Sequence, residues 1–158
     1  MTAKLKHGIT KVKDPGSALT HFIAMILAII AAMPLLSKAG HDSGHMHISA
    51  LAVFILSMIG LYAASTIYHT LDISPKINKL LRKIDHMMIF ILIAGTYTPV
   101  CMIVLGDKTG WTMLTLVWGI AIVGILINAL WITCPKWFSS LIYIAMAPTK
   151  NMDRNEWL

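Results

Sequence analysis

Residues 64–99, ASTIYHTLDISPKINKLLRKIDHMMIFILIAGTYTP, decide the fold of this chain because they set ionisable side chains within otherwise apolar sequence. Ionisable groups are expensive in hydrocarbon unless they are paired or hydrated, and in membrane proteins they commonly mark functional sites. His69 and Asp85 are therefore the first candidates for a site.

The composition of the whole chain indicates an integral membrane protein. Of its 158 residues, 57% are hydrophobic and 13% are charged, and several apolar runs are long enough to cross a bilayer. We predict an all-α multi-span bundle in the cell membrane. Its expected partner is the lipid bilayer, and no nucleic-acid partner is expected. The four full spans are placed at about 17–37, 47–69, 85–105 and 111–133.

Polarity divides the chain into three parts. Residues 1–16 form a basic amino-terminal segment, 17–147 a transmembrane helical domain and 148–158 a polar tail. Within the domain, residues 137–147 are apolar but would be only about 16 Å long as a helix, roughly half of the bilayer core. We therefore predict a partial fifth helix there.

A polar seam follows the end of the second span. Ser65 and His69 are four residues apart and share one helix face, with Tyr62 a turn earlier. The following loop lets two helices lie antiparallel, so Asp85 can return to the side of the membrane where His69 lies. An imidazole and a carboxylate together suit a divalent cation, zinc first among them. The alternative is a His–Asp pair that only ties two helices together.

The segment between His69 and Asp85 indicates where the third helix begins. Ser74-Pro75 is typical of a helix start, with serine as cap and proline in the first turn, and 75–84 has the pattern of an amphipathic helix at the headgroup level. In one straight helix Asp85 would lie about 15 Å beyond Pro75. We therefore predict a break near Ile84, with the third span beginning near Asp85, although a capping role explains this aspartate equally well.

The first connection, residues 38–46, contains glycine, serine, aspartate and two histidines, at 41 and 45. Such a composition favours a solvated loop over a second metal cluster. We predict a loop there.

The distribution of cations predicts the orientation. The amino-terminal segment and the segment after the second span each contain four Lys or Arg residues, whereas the first and third connections contain one each. The amino terminus is therefore predicted to be cytoplasmic. His21 begins the first span, His69 ends the second and Asp85 begins the third, so all three lie near the inner face. For His21, a site role and an interfacial hydrogen bond are both open.

Several spaced motifs resemble the bacterial hemolysin III family, which belongs to the wider group that includes the adiponectin and progestin receptors. The motifs are Thr20-His21, the run 65–69, Lys83-Ile-Asp-His86 and Gly95-Thr-Tyr-Thr-Pro99, and they occur in this order. The resemblance extends from about residue 15 to about residue 146. It implies a seven-helix membrane protein with a zinc site.

The resemblance also implies roles for individual residues. His69 corresponds to the zinc ligand of the second helix, Asp85 to the acid that acts through a bound water, and Ser65 to the serine that accompanies them; His21 is a further candidate ligand. Two more ligands of the family come from a His-x-x-x-His pair in the last helix, and no histidine follows His86 here. The abrupt polar tail indicates a shortened or frameshifted reading frame, or a naturally abbreviated protein.

Three functions are consistent with this sequence. The first is a zinc-dependent hydrolase that acts on a lipid amide or ester at the cytoplasmic side. The second, suggested by the family's name, is a membrane-permeabilising cytolysin or channel, and the third is a receptor or membrane-homeostasis protein without chemistry. Apolar faces left without the closing helices also favour a homo-oligomer, or else degradation of the chain.

Overall fold

The computed structural model describes residues 12–42 and 44–130, and the regular elements in these two ranges are all helices. Four of them are long and apolar enough to cross a bilayer. This confirms the predicted all-α, multi-span membrane bundle. The helices are α1 (Pro15–Asp42), α2 (Gly44–Thr70), α3 (Pro75–Pro99) and α4 (Lys108–Leu130), and a π-helical segment, Val100–Leu105, extends α3.

Three of the predictions concern residues that are not described. The partial fifth helix at 137–147 and the polar tail at 148–158 lie outside the described residues, as does most of the basic segment at 1–16. The division of the chain into three parts therefore stays a prediction.

The predicted loop at residues 38–46 is wrong. Helix α1 continues to Asp42 and α2 begins at Gly44. Ala39 is buried, with 8% of its surface exposed, and α1 packs against α2, so tertiary contact continues into this stretch. Such contact stabilises the helical conformation although residues such as Gly40 have a low intrinsic helix propensity.

Helix α3 begins where the sequence predicts. Ser74 is its cap, and the Ser74 Oγ accepts a hydrogen bond from the Ile77 N–H at 3.3 Å, while Pro75 occupies the first turn, where its missing N–H costs nothing. The Asn78 side chain, whose Nδ2 donates to Asp72 Oδ1 at 2.6 Å, fastens the preceding turn to the helix.

The predicted break near Ile84 is wrong, because α3 runs through this position without interruption. Residues 76–94 contain neither glycine nor proline, so the sequence offers no site for a break. Together with the π-helical segment, the span contains 31 residues. Its length of about 46 Å exceeds the roughly 30 Å of a hydrocarbon core, so part of this helix extends beyond the core.

Pro99 accounts for the change of helix type after α3. Proline has no N–H for the carbonyl one turn earlier, and the chain continues as the π-helical segment. Gly106 ends this segment with a φ of 56°, and its N–H donates to the Cys101 carbonyl at 3.2 Å. Gly110, in the first turn of α4, packs so closely on Cys101 that a Cβ at residue 110 would overlap the same carbonyl oxygen.

The core between α3 and α4 is built around an aromatic ring. Phe90 is 1% exposed and packs with Ala94, Val117 and Ala121. Gly124 makes room for the ring, since a Cβ there would lie 2.6 Å from Phe90 Cε1. Small residues at helix interfaces allow this close approach in membranes.

We expect Gly124→Leu to destabilise the bundle by about 1–3 kcal/mol, the usual cost of overpacking. Gly119→Leu on the same helix is the matched control, because no atom lies within 4 Å of a Cβ at that position. The free energy of unfolding, measured by titrating detergent micelles with dodecyl sulfate, distinguishes the two variants. Equal losses in both would contradict the packing shown here.

The orientation in the membrane is tested by labelling. In a background where Cys101 and Cys134 are replaced by alanine, we expect Lys6→Cys to be protected from an impermeant maleimide added to intact cells, because the basic segment is predicted to be cytoplasmic. Lys108→Cys, at the first residue of α4, should react. Labelling of residue 6 from outside, with residue 108 protected, would reverse the orientation.

Candidate functional site

The beginning of α1 and the end of α2 are joined through their backbones. The Asp14 N–H donates to the His69 carbonyl at 2.9 Å, and the Lys13 N–H lies 3.5 Å from the Thr70 carbonyl. The last carbonyls of a helix lack partners within the helix, so these bonds satisfy two groups that would otherwise need water. They also hold residues 13 and 14 against the end of α2.

Side chains reinforce this junction. Asp14 Oδ2 lies 3.1 Å from His69 Nδ1, with the Asp14 side chain 51% exposed and that of His69 21% exposed. Lys13 Nζ lies 3.7 Å from the centroid of the Tyr68 ring, a cation–π contact. We call these four residues, Lys13, Asp14, Tyr68 and His69, the clasp.

His21 lies directly beside the clasp. Its ring stacks on that of His69, with centroids 5.6 Å apart and planes inclined by 15°, and the Tyr62 ring lies 6.1 Å away. Ser65 is buried one turn before His69, with 5% of its surface exposed. The structure therefore brings His21, Ser65 and His69 to the same end of the α1–α2 pair, and their roles in metal binding or catalysis stay predictions.

Asp85 is not bonded to the clasp. Its side chain is 13% exposed, and Asp85 Oδ2 is 3.7 Å from Nδ1 of the adjacent His86, a nitrogen that also lies 2.8 Å from the Arg82 carbonyl. Among the described residues, the carboxylate partner of His69 is Asp14, and Asp85 makes no hydrogen bond or ion pair with it. The continuous α3 explains this arrangement, because Asp85 lies about 15 Å along the helix from Pro75.

The last described turn of α4 lies near the same part of α3. Lys83 Nζ donates to the Ala129 carbonyl at 2.8 Å. Because consecutive helices alternate in direction, this contact lies at the end of the bundle that carries the clasp. That end of the bundle thus has two polar contacts, the clasp between α1 and α2 and the Lys83 bond between α3 and α4.

The donor set at this end is incomplete for zinc. Protein zinc sites generally have three or four protein ligands, and the residues in 12–42 and 44–130 include no group of three or more His, Cys, Asp or Glu side chains placed to hold a metal. Among the described residues, His69 has the usual preparation of a ligand, because a carboxylate on Nδ1 leaves Nε2 to face a metal. His86 has the backbone form of it, with Nδ1 2.8 Å from the Arg82 carbonyl. The described residues therefore do not close a zinc site.

Sequence reasoning misses Lys13, Asp14 and Tyr68. Asp14 and His69 are 55 positions apart, and Asp14 directly precedes Pro15, where a carboxylate is expected to cap a helix. One signal was present: Asp14 borders the first span on the side of the membrane where His69 ends the second.

The sequence pattern of the family described as Haemolysin-III related matches residues 9–152. The chain belongs to this family. Hemolysin-3 from Bacillus cereus is 37% identical over 147 residues, which cover 92% of this chain and 67% of that protein. The Hemolysin-3 homolog of Bacillus subtilis (strain 168) is 34% identical over 134 residues, which cover 85% of this chain and 62% of that protein.

This hemolysin III chain thus spans about two thirds of the length of these curated relatives. No solved structure matches it. Membership of the family confirms the resemblance on which the residue roles were predicted, while the roles themselves are matters for experiment.

Proposed function

We propose that this hemolysin III protein contributes to a zinc-dependent hydrolase centre for lipid amides or esters at the cytoplasmic end of its bundle. The observation that supports the proposal is the state of His69. A carboxylate occupies its Nδ1, so the Nε2 atom is the one offered to a metal. His21, stacked on the same ring, is the second proposed ligand.

Two further polar groups have proposed roles. Asp85 is proposed as the acid or base because of the family resemblance, although its carboxylate contacts His86 at 3.7 Å rather than His69. Ser65, buried one turn before His69, is proposed to line the site. Bound zinc would supply Lewis acidity for a carbonyl or a water. The ligands missing from the described set would come from a further helix.

A lipid substrate suits the location. The clasp lies at the ends of membrane-length helices, and we expect such ends where the headgroup region meets the hydrocarbon. Ester and amide linkages of lipids lie at this boundary. Lys13 and Lys83, both at this end of the bundle, are placed to attract anionic headgroups.

Zinc analysis and hydrolysis assays on the purified protein test the proposal. We expect added zinc to bind the wild type weakly, a fluorogenic lipid amide or ester to be hydrolysed on zinc addition, and both effects to be lost in His69→Ala. His45→Ala is the matched control, since His45 lies in the first turn of α2, at its opposite end. Zinc binding without hydrolysis would favour a receptor, and no zinc binding at any concentration would overturn the metal centre.

A membrane-permeabilising role is the second candidate, favoured by the name Hemolysin-3 that the Bacillus cereus relative carries. The buried polar side chains of the described residues offer it little support. They are Ser57, Ser65 and Thr98, and Ser57 and Thr98 donate to carbonyls of their own helices. Dye release from liposomes that persists unchanged in His69→Ala would favour permeabilisation over the hydrolase.

A further inference from the structure

We propose that Asp14 is a positioning residue that fixes the tautomer and the ring orientation of His69. An imidazole can carry its proton on either nitrogen, and the hydrogen bond made by one nitrogen decides the role of the other. Asp14 Oδ2 lies 3.1 Å from His69 Nδ1. A carboxylate only accepts hydrogen bonds, so the proton is held on Nδ1 and the lone pair on Nε2.

The backbone gives Asp14 the rigidity that this role requires. An ion pair between exposed side chains usually contributes little, because both chains must be ordered to form it. Here the Asp14 N–H is already bonded to the carbonyl of His69 itself. Asp14 and His69 are thus in contact twice, once through their main chains and once through their side chains.

Neighbouring groups make the arrangement more specific. Lys13 lies over the Tyr68 ring. Because these residues directly precede Asp14 and His69, their contact further restrains the pair. The parallel His21 ring covers one face of the imidazole. Tilting the His69 ring out of its plane would break both the stack and the bond to Asp14, and a 180° flip of the ring would break the bond to Asp14.

The main alternative role for Asp14 is a helix cap. A capping aspartate would accept from amides of the first turn of α1. In the described part of the chain its carboxylate instead contacts His69, while its carbonyl accepts the first helical bond, from the Ala18 N–H at 2.9 Å. The side chain therefore serves α2 rather than the start of its own helix.

The inference rests on the proposed function only in one respect, that the ligand bound by His69 Nε2 is a metal. Nuclear magnetic resonance of ¹⁵N-histidine-labelled protein in micelles at about pH 8, where free histidine is mostly neutral, tests it without metal. We expect wild-type His69, assigned with His69→Gln, to carry its proton on Nδ1. Asp14→Ala should shift it toward the Nε2-protonated form. An unchanged tautomer in Asp14→Ala overturns the inference.

Asp72→Ala is the matched control, because Asp72 is an exposed carboxylate at the same end of the bundle that bonds Asn78 instead. It should leave the His69 tautomer unchanged. If Asp14→Ala does not fold, Asp14→Asn decides the question through the Nδ1 proton. Its resonance should move upfield, since a charge-assisted bond has become a neutral one. An unmoved proton overturns the inference.

A second readout separates this inference from the proposed function. Zinc affinity should fall about 10- to 100-fold in Asp14→Ala, the usual effect of removing the partner of a ligating histidine, and should be unchanged in Asp72→Ala. A wild type that binds no zinc defeats the proposed function, and the tautomer measurement then still decides the role of Asp14. Equal zinc affinity in wild type and Asp14→Ala would count against positioning.

Discussion

Zinc should bind this chain weakly by itself. Its affinity should rise more than about 100-fold when a helix carrying a His-x-x-x-His motif is supplied. Removing a residue that only supports a ligand already lowers metal affinity about 10- to 100-fold, and two direct ligands should contribute more. The described residues form no three-ligand group, and no histidine follows His86 in the sequence. Two added imidazoles would bring the set led by His69 to the number that zinc generally requires.

Co-expression of such a helix, followed by competition with a chromophoric chelator, measures the change. The same helix with both histidines replaced by alanine is the control, and His69→Ala should cancel the gain. If the chain alone holds one equivalent of zinc through dialysis against chelator, and His69→Ala releases it, then the residues present already complete a site and the prediction is wrong.

Gly110→Val should lower the stability of the bundle by at least about 3 kcal/mol, the upper range of overpacking. A Cβ at this position would overlap the Cys101 carbonyl oxygen and lie 3.1 Å from Leu105 Cβ. The carbonyl cannot move away easily, since it also accepts the bond from the Gly106 N–H. The change should therefore separate α4 from the end of the π-helical segment.

Fluorescence-detected gel filtration after heating measures this loss, and Gly119→Val on the same helix provides the comparison, because that position is open. We expect the Gly110 variant to lose its monodisperse peak many degrees earlier. A melting profile equal to that of Gly119→Val would show that the turn between the π-helical segment and α4 can rearrange without cost.

The four membrane-length helices of the described residues are predictable from the sequence because each apolar run has the length of a bilayer core. Their ends are not. Residues 38–46 have loop composition, yet α1 continues to Asp42, with Ala39 buried, and α2 begins at Gly44. The polar turns of α3 before Ile84 suggested a separate helix, but a polar face needs no break when a helix extends beyond the hydrocarbon.

The candidate site was predictable only in part. Placement of His21 and His69 at one end follows from the antiparallel order of two spans, and the structure stacks the two rings. The pairing of His69 with Asp14 rather than Asp85 depends on a backbone junction between residues 55 positions apart. Neither periodicity nor spacing carries information about such a junction.

The clasp has a consequence for how the protein is made. All four of its residues, and His21 beside them, lie in or immediately before α1 and α2. Those two helices pack directly on each other, so the hairpin can form and close at its open end while α3 is still being synthesised. The contacts between Asp14 and His69 are thus encoded entirely in the chain that precedes α3.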